Sequence, residues 1–192
     1  MLKSIDGTFA FYHVPKTGGQ SISTALLSLM VPNPDVDPRL VALSGPSRDY
    51  HWDGMHTPAP AGGGKRKRCA FVRNPWHRAL SRWRIYRKTG ESFMAFWRRP
   101  HGYNINITRP MLYYCNPSFE FIGRFENLAA DFVRMCELVG IDPPELPHTN
   151  QLLASGPVLG PDWRSLYDDE SRRWIAKRFA GDIDMFGYTF EE

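Results

Sequence analysis

The run Pro15-Lys16-Thr17-Gly18-Gly19-Gln20-Ser21 gathers a cation, two hydroxyls and a glycine pair into one short stretch. Fed by a strand and opening a helix, such a run holds phosphate, because free backbone N–H groups and the positive end of the helix dipole converge on the anion. Lys16 adds a full charge, Thr17 and Ser21 add hydroxyl donors, and Gly18 and Gly19 let the backbone approach closely. The Walker spacing Gly-x-x-x-x-Gly-Lys-Ser/Thr is not met: the lysine precedes the glycines, no Lys-Ser/Thr follows them, and no apolar strand ends in a metal-binding Asp. Taken alone, the run also fits a plain Pro-Gly turn between a strand and a helix.

A second constellation centres on Arg73, which follows the apolar run Cys69–Val72 and precedes Asn74-Pro75, a good N-cap and N1 pair. A guanidinium at the carboxyl end of a strand stands where open α/β sheets bind ligands, and it can grip a phosphate with two parallel hydrogen bonds. On the helix that follows, the turn per residue puts His77, Ser81, Arg84 and Lys88 on one polar face. Trp76, Ala79, Leu80, Trp83 and Tyr86 fall on the other, core-facing side. For Arg84 and Lys88 a solvated face is the simpler reading. The run Lys65-Arg66-Lys67-Arg68 has the composition of a polyanion patch, with a solvated basic run before a strand as the plainer alternative.

The elements that must position these groups follow from periodicity. Thr8–Val14 is aromatic and β-prone and predicts a buried strand, and Ile22, Ala25, Leu26, Leu29 and Met30 have helical spacing. The residues from Pro32 to Pro38 break that helix, a short strand is expected at Leu40–Leu43, and Ser44–Gly64 reads as a long loop. Cys69–Val72 predicts a strand, with helices from Pro75 to about Lys88 and around Ser92–Arg98. Phe119–Gly123 predicts another strand, Asn127–Val139 an amphipathic helix and Asp168–Ala180 a last helix on which the tail Phe186–Phe190 packs back. One α/β domain over residues 1–192 fits this order.

Composition sets the limits. The chain has 192 residues with 42% hydrophobic and 23% charged, ordinary globular usage that excludes collagen-like, coiled-coil and wholly disordered classes. No apolar run approaches the ~20 residues of a membrane span, and the N-terminus lacks the features of a secretion signal. Cys69, Cys115 and Cys136 are odd in number and widely spaced, which suggests buried thiols in a reducing compartment and neither a disulfide framework nor a metal knuckle. The net charge of +4 is too small to name a partner, but the basic stretch Lys65–Arg99 favours an anionic ligand.

The segment His13-Val14-Pro15-Lys16-Thr17-Gly18-Gly19-Gln20-Ser21-Ile22 resembles the 5′-phosphosulfate-binding loop of sulfotransferases, most closely that of the carbohydrate sulfotransferase group. Phe71-Val72-Arg73-Asn74-Pro75 with Ser81 eight residues after the arginine is similar to the family's second signature, the 3′-phosphate site. Weaker echoes are Phe121–Leu128 and Asp182–Tyr188, so the resemblance covers most of the chain. It implies a P-loop NTPase-like three-layer fold with a central, mainly parallel sheet flanked by helices. It also implies 3′-phosphoadenosine 5′-phosphosulfate (PAPS) as donor, 3′-phosphoadenosine 5′-phosphate (PAP) as product, and no metal.

The implied roles are specific. Lys16 stabilises charge on the bridging oxygen as the nucleotide leaves, and Pro15 to Ser21 with Arg73 and Ser81 bind the donor. An acceptor hydroxyl needs a base, and relatives place a histidine or glutamate between the two motifs; His56 is the choice here, with His51 and Asp53 as alternatives. Gln20 stands where many relatives carry Thr or Ser, which removes one hydroxyl contact. Pro147-His148-Thr149-Asn150 resembles a family loop near the nucleotide, and Arg124 either contacts or braces the site.

The acceptor is expected to be a carbohydrate or a small molecule, met between Thr89 and Ser118, where Phe93, Phe96, Trp97, Tyr103, Tyr113 and Tyr114 are equally good as core residues. Relatives on secretory membranes carry an anchor and stem that this chain does not show, so a compact soluble cytoplasmic enzyme is expected, without a nucleic-acid partner. Two other classes stay open. A nucleotide-dependent kinase predicts magnesium dependence and ATP preference, and a noncatalytic polyanion binder predicts steeply salt-dependent binding independent of Lys16.

Overall fold

Among the described residues, four strands form one sheet in sequence order: β1 (Leu2–Lys3), β2 (Phe9–Tyr12), β3 (Lys67–Val72) and β4 (Phe121–Arg124). The computed structural model describes residues 2–29, 58, 64–100, 108–147 and 162–191. β1 lies antiparallel on β2, while β2, β3 and β4 run parallel, with Phe11 opposite Cys69 and Phe71 opposite Gly123. Helices α1 (Gly19–Leu26), α2 (Pro75–Tyr86), α3 (Phe93–Arg98), α4 (Leu128–Val139), α5 (Asp169–Arg178) and α6 (Ala180–Phe186) flank it.

Side chains alternate across the sheet, and both sets are covered. Phe9, Phe11, Cys69 and Phe71 pack against Ile22 and Leu26 of α1 and against Phe132, Met135 and Val139 of α4. Ala10, Tyr12, Ala70 and Val72 face Met111, Tyr114, Cys115 and Tyr188 on the other side. A third cluster joins α2, α3 and α5 through Trp76, Leu80, Phe96, Trp97, Ile175 and Phe179. The architecture is therefore mixed α/β, with a mostly parallel sheet flanked by helices, and it matches the P-loop-like three-layer expectation.

Most boundaries agree with the periodicity, and the differences have local causes. Phe119 is buried, but its amide closes a turn on the Asn116 carbonyl, so β4 begins at Phe121. The last expected helix ends at Arg178, and a further helix, α6, occupies Ala180–Phe186. Its Gly181, Asp182 and Asp184 argue against a helix locally. The buried Asp182 carboxylate overrides that, taking the amides of Met111 at 2.7 Å and Leu112 at 2.9 Å. The tail divides: Phe190 packs with Trp76, Trp163 and Tyr167, whereas Tyr188 joins the sheet face. The expected strand at Leu40–Leu43 lies outside the described residues, as does nearly all of the Ser44–Gly64 loop.

The basic run before β3 is partly consumed by the fold. Arg68 is buried, pairs with Glu120 at 3.3 Å and lies over the Phe119 ring, while the Lys67 ammonium donates to the Leu138 carbonyl. Only Lys65 and Arg66 are left for a polyanion patch. The aromatic residues of the expected acceptor region are largely core: Phe96, Trp97 and Tyr114 are buried. Tyr103 lies outside the described residues.

Candidate active site

The loop between β2 and α1 takes its shape from two left-handed residues. Lys16 has φ 71° and Gly18 φ 80°, a turn that tips successive amides toward one side and is costly for a side-chain-bearing residue such as lysine. Gly18 is the N-cap of α1 and supplies no side-chain cap hydrogen bond. Gly19 is required by space: a Cβ there would stand 2.1 Å from Cδ2 of the buried His13 ring. Gly19→Ala is therefore expected to cost about 1–3 kcal/mol and to distort the loop, measurable by thermal denaturation.

Thr17 differs from the expectation. Its buried hydroxyl donates to the Val14 carbonyl at 2.9 Å, so it braces the loop and offers an anion only its backbone N–H. Pro15 and Ser21 are buried, and Gln20 is half-buried in the first turn of α1.

Two arginines from the β3–α2 segment hold the loop's carbonyls. Arg73 donates from Nη1 to the Lys16 carbonyl at 3.2 Å, and Arg78 donates from Nε to the Pro15 carbonyl at 3.0 Å. Arg78, only 1% exposed, also reaches the Arg109 carbonyl at 3.2 Å. With its carbonyls committed to these guanidinium groups, the loop is held in a fixed shape. The helix bears Asn74 as N-cap, accepting from the amides of Trp76 and His77, with Pro75 next to it.

Arg73 is buried under its neighbours. Its guanidinium lies 3.9 Å from the centroid of Phe125, and Nη2 meets Nε2 of His77 at 2.8 Å. Its Nε has no partner among the described residues. A buried donor without an acceptor costs about 1–3 kcal/mol, so an acceptor supplied by a ligand would stabilise it. Burial pushes Arg73 down to about 10 against the Glu126 carboxylate, which favours its charge. Glu126 in turn accepts the Asn74 amide at 2.7 Å and the Tyr188 hydroxyl at 3.0 Å.

Lys16 sits among these cations. Burial, then the charges of Arg73 and Arg82, pull its ammonium down to about 7. Beyond burial, Arg73 and Arg82 repel the Lys16 charge, and a bound anion would relieve that repulsion. Ser81 is half-buried on α2, one turn beyond His77 and two beyond Asn74. Arg84 is half-buried and Lys88 exposed, as a solvated face requires, but Tyr86 is exposed and does not face the core.

The structure thus brings Pro15–Ser21 and Arg73 into direct contact and puts Ser81 on the adjoining helix. His51, Asp53, His56 and His148–Asn150 lie outside the described residues. Arg124 is a brace: it donates to the Phe186 carbonyl at 2.6 Å and lies over Tyr188. Sequence reasoning missed Arg78 and Arg82, both buried on α2, and the partners Glu126 and Asp182; it placed His77 on the polar face of the helix but not as the partner of Arg73. On a helical wheel Arg78 and Arg82 flank the apolar arc, a placement that looks solvent-exposed until a loop covers it.

A glycine loop of the phosphate-binding type and a buried arginine at the neighbouring strand end thus stand together at the end of a mostly parallel sheet. The family model described as the Sulfotransferase family matches residues 5–189, and the chain belongs to that family. It is therefore a transferase of the sulfonate-transferring kind. Comparison with curated proteins and with solved structures gave no match. Among the described residues no cluster of His, Cys, Asp or Glu could hold a metal ion, and no helix is long and apolar enough to cross a membrane.

Proposed function

We propose that the chain moves the sulfonate of PAPS to the hydroxyl of a carbohydrate or small-molecule acceptor by in-line displacement. One observation carries this reading: Lys16, just before the N-terminus of α1, accepts through its carbonyl from Arg73 and feels that arginine's charge, while the Arg73 Nε has no partner among the described residues. The site is divided between a loop and a neighbouring strand end, as a nucleotide with phosphates at two positions requires.

The donor supplies a sulfonate on a bond already activated by its phosphate. The amides of Thr17 to Ser21 receive the 5′-phosphate end, and Pro15 fixes the entry to the loop. Lys16 places its ammonium at the bridging oxygen, where negative charge develops as the bond breaks. Arg73 and Ser81 take the 3′-phosphate, the arginine through its free N–H groups. The protein's contribution is positioning and electrostatics, with no metal required by these residues. His56 takes the acceptor proton, with His51 and Asp53 as the alternatives in the same loop. The free, buried Cys69, Cys115 and Cys136 fit a reducing, cytoplasmic setting.

The test uses PAPS labelled in its sulfur with a panel of sugars and phenols. Label is expected on at least one hydroxyl acceptor, at a rate unaffected by chelating magnesium. Transfer of the terminal phosphate of ATP, with no transfer of labelled sulfur, would overturn the reading.

A further inference from the structure

Arg73 is the group on which discrimination between nucleotides depends in the reading above, and its orientation has an unassigned cause. Its face lies on Phe125 and one terminal nitrogen is tied to the Lys16 carbonyl. The other terminal nitrogen meets Nε2 of His77 at 2.8 Å. A guanidinium has only donors, so Nε2 must accept, and His77 is neutral with its hydrogen on Nδ1. The imidazole cannot turn away, because it is stacked on Trp163 with centroids 5.1 Å apart and planes 1° from parallel. Phe125 meets the same ring edge-on at 6.2 Å. One aromatic wall therefore fixes both the arginine and its acceptor.

We propose that His77 is a positioning residue that fixes which N–H groups Arg73 presents to the 3′-phosphate, and so sets the preference for a 3′-phosphorylated nucleotide. This rests on the assignment of Arg73 to that phosphate. Five N–H groups are available on a guanidinium, and two are used by Lys16 and His77. The remaining three, including the Nε that has no partner among the described residues, are aimed as one unit once those two are held.

The chemistry of the acceptor matters as much as its place. A carboxylate at position 77 would orient Arg73 equally well but would neutralise it and compete with the phosphate. A neutral imidazole orients without offsetting the charge. Burial, with the nearby charges of Arg73 and Arg164, pushes the His77 ring down to about 3, which keeps it in the accepting form at physiological pH. Glu126 favours the Arg73 charge from nearby, while one of its oxygens accepts the Asn74 amide and the other the Tyr188 hydroxyl.

The experiment is calorimetric titration of the full chain with PAP and with adenosine 5′-phosphate, which differ only in the 3′-phosphate. Wild type is compared with His77→Phe, His77→Gln and His77→Glu, with thermal unfolding measured alongside. His77→Phe keeps a ring against Trp163 and loses the acceptor; PAP affinity is expected to fall about tenfold, with adenosine 5′-phosphate unchanged. Gln restores an acceptor and should recover the PAP preference to within about threefold, whereas Glu, of the same shape, should not. The Gln–Glu contrast reads out even where Phe lowers stability.

Equal weakening of both nucleotides in His77→Phe, or equal PAP preference in Gln and Glu, overturns the role of His77. Tighter PAP binding in His77→Phe also overturns it, since the ring would then be a competitor. Absence of any PAP preference in wild type instead removes the assignment of Arg73 itself.

Discussion

Lys16→Ala is expected to lower the rate of sulfonate transfer about 10²–10³-fold while weakening PAP binding much less. The asymmetry follows from the role proposed for the ammonium: it attracts the bound nucleotide, but most of the charge at the bridging oxygen develops as the phosphate–sulfate bond breaks. Equal losses in rate and in PAP affinity would mean that Lys16 is a ground-state binding residue. The same side chain predicts a pH effect. In the free protein burial and the charges of Arg73 and Arg82 hold it at about 7, below its ordinary 10.5. An anionic nucleotide raises it again, so above pH 7 binding takes up a proton and affinity falls as pH rises, by up to about tenfold per unit. Calorimetry at pH 8 in buffers of different ionisation heat measures that uptake, and Lys16→Arg, charged throughout, should abolish it. The unliganded fold has the matching dependence. Its unfolded state binds the proton more tightly, so stability rises with pH between about 7 and 10.5.

Arg78→Ala is expected to give the largest stability loss of any substitution around the site, about 3–5 kcal/mol in denaturant unfolding. The side chain is 1% exposed and holds the buried Pro15 carbonyl and the Arg109 carbonyl, both of which lose that donor on its removal. It also opposes the effect of burial on Asp182, whose carboxyl is raised by its surroundings and drawn back by the Arg78 charge. Arg78→Lys keeps a charge but cannot span both carbonyls, and should lie between alanine and wild type. A loss below about 1 kcal/mol in Arg78→Ala would show that the loop is shaped without this clamp.

Much of this was readable from spacing alone, because the relevant signals are local. A strand ending at a Pro-Lys-Thr-Gly-Gly run, or an Asn-Pro pair before an amphipathic stretch, determines backbone geometry within a few residues. Asn74 caps α2 and Gly18 opens α1 as those signals require. What escaped depends on distant partners. Arg78 looks like any helix-flank arginine until the Pro15 carbonyl, 63 residues away in sequence, is placed beside it. The hydroxyl of Thr17 looked free for a ligand because nothing in the sequence shows that Val14 would claim it. Helix α6 was missed because Asp182 and Gly181 disfavour it locally, and the amides of Met111 and Leu112 that reward it lie on another segment. Arg68 was read with its basic neighbours, yet its Glu120 partner comes from the approach to β4.

The most direct test of the central claim is thermal unfolding of wild type and Arg73→Ala with PAP, ADP or magnesium-ATP. A ligand at a hundred times its dissociation constant adds about 2.7 kcal/mol of stability, well within reach of the method. PAP is predicted to stabilise wild type strongly, with ADP and magnesium-ATP far behind at the same concentration, and Arg73→Ala should erase that difference. Stabilisation by ADP or magnesium-ATP equal to that by PAP would contradict a 3′-phosphate site at Arg73 and Ser81.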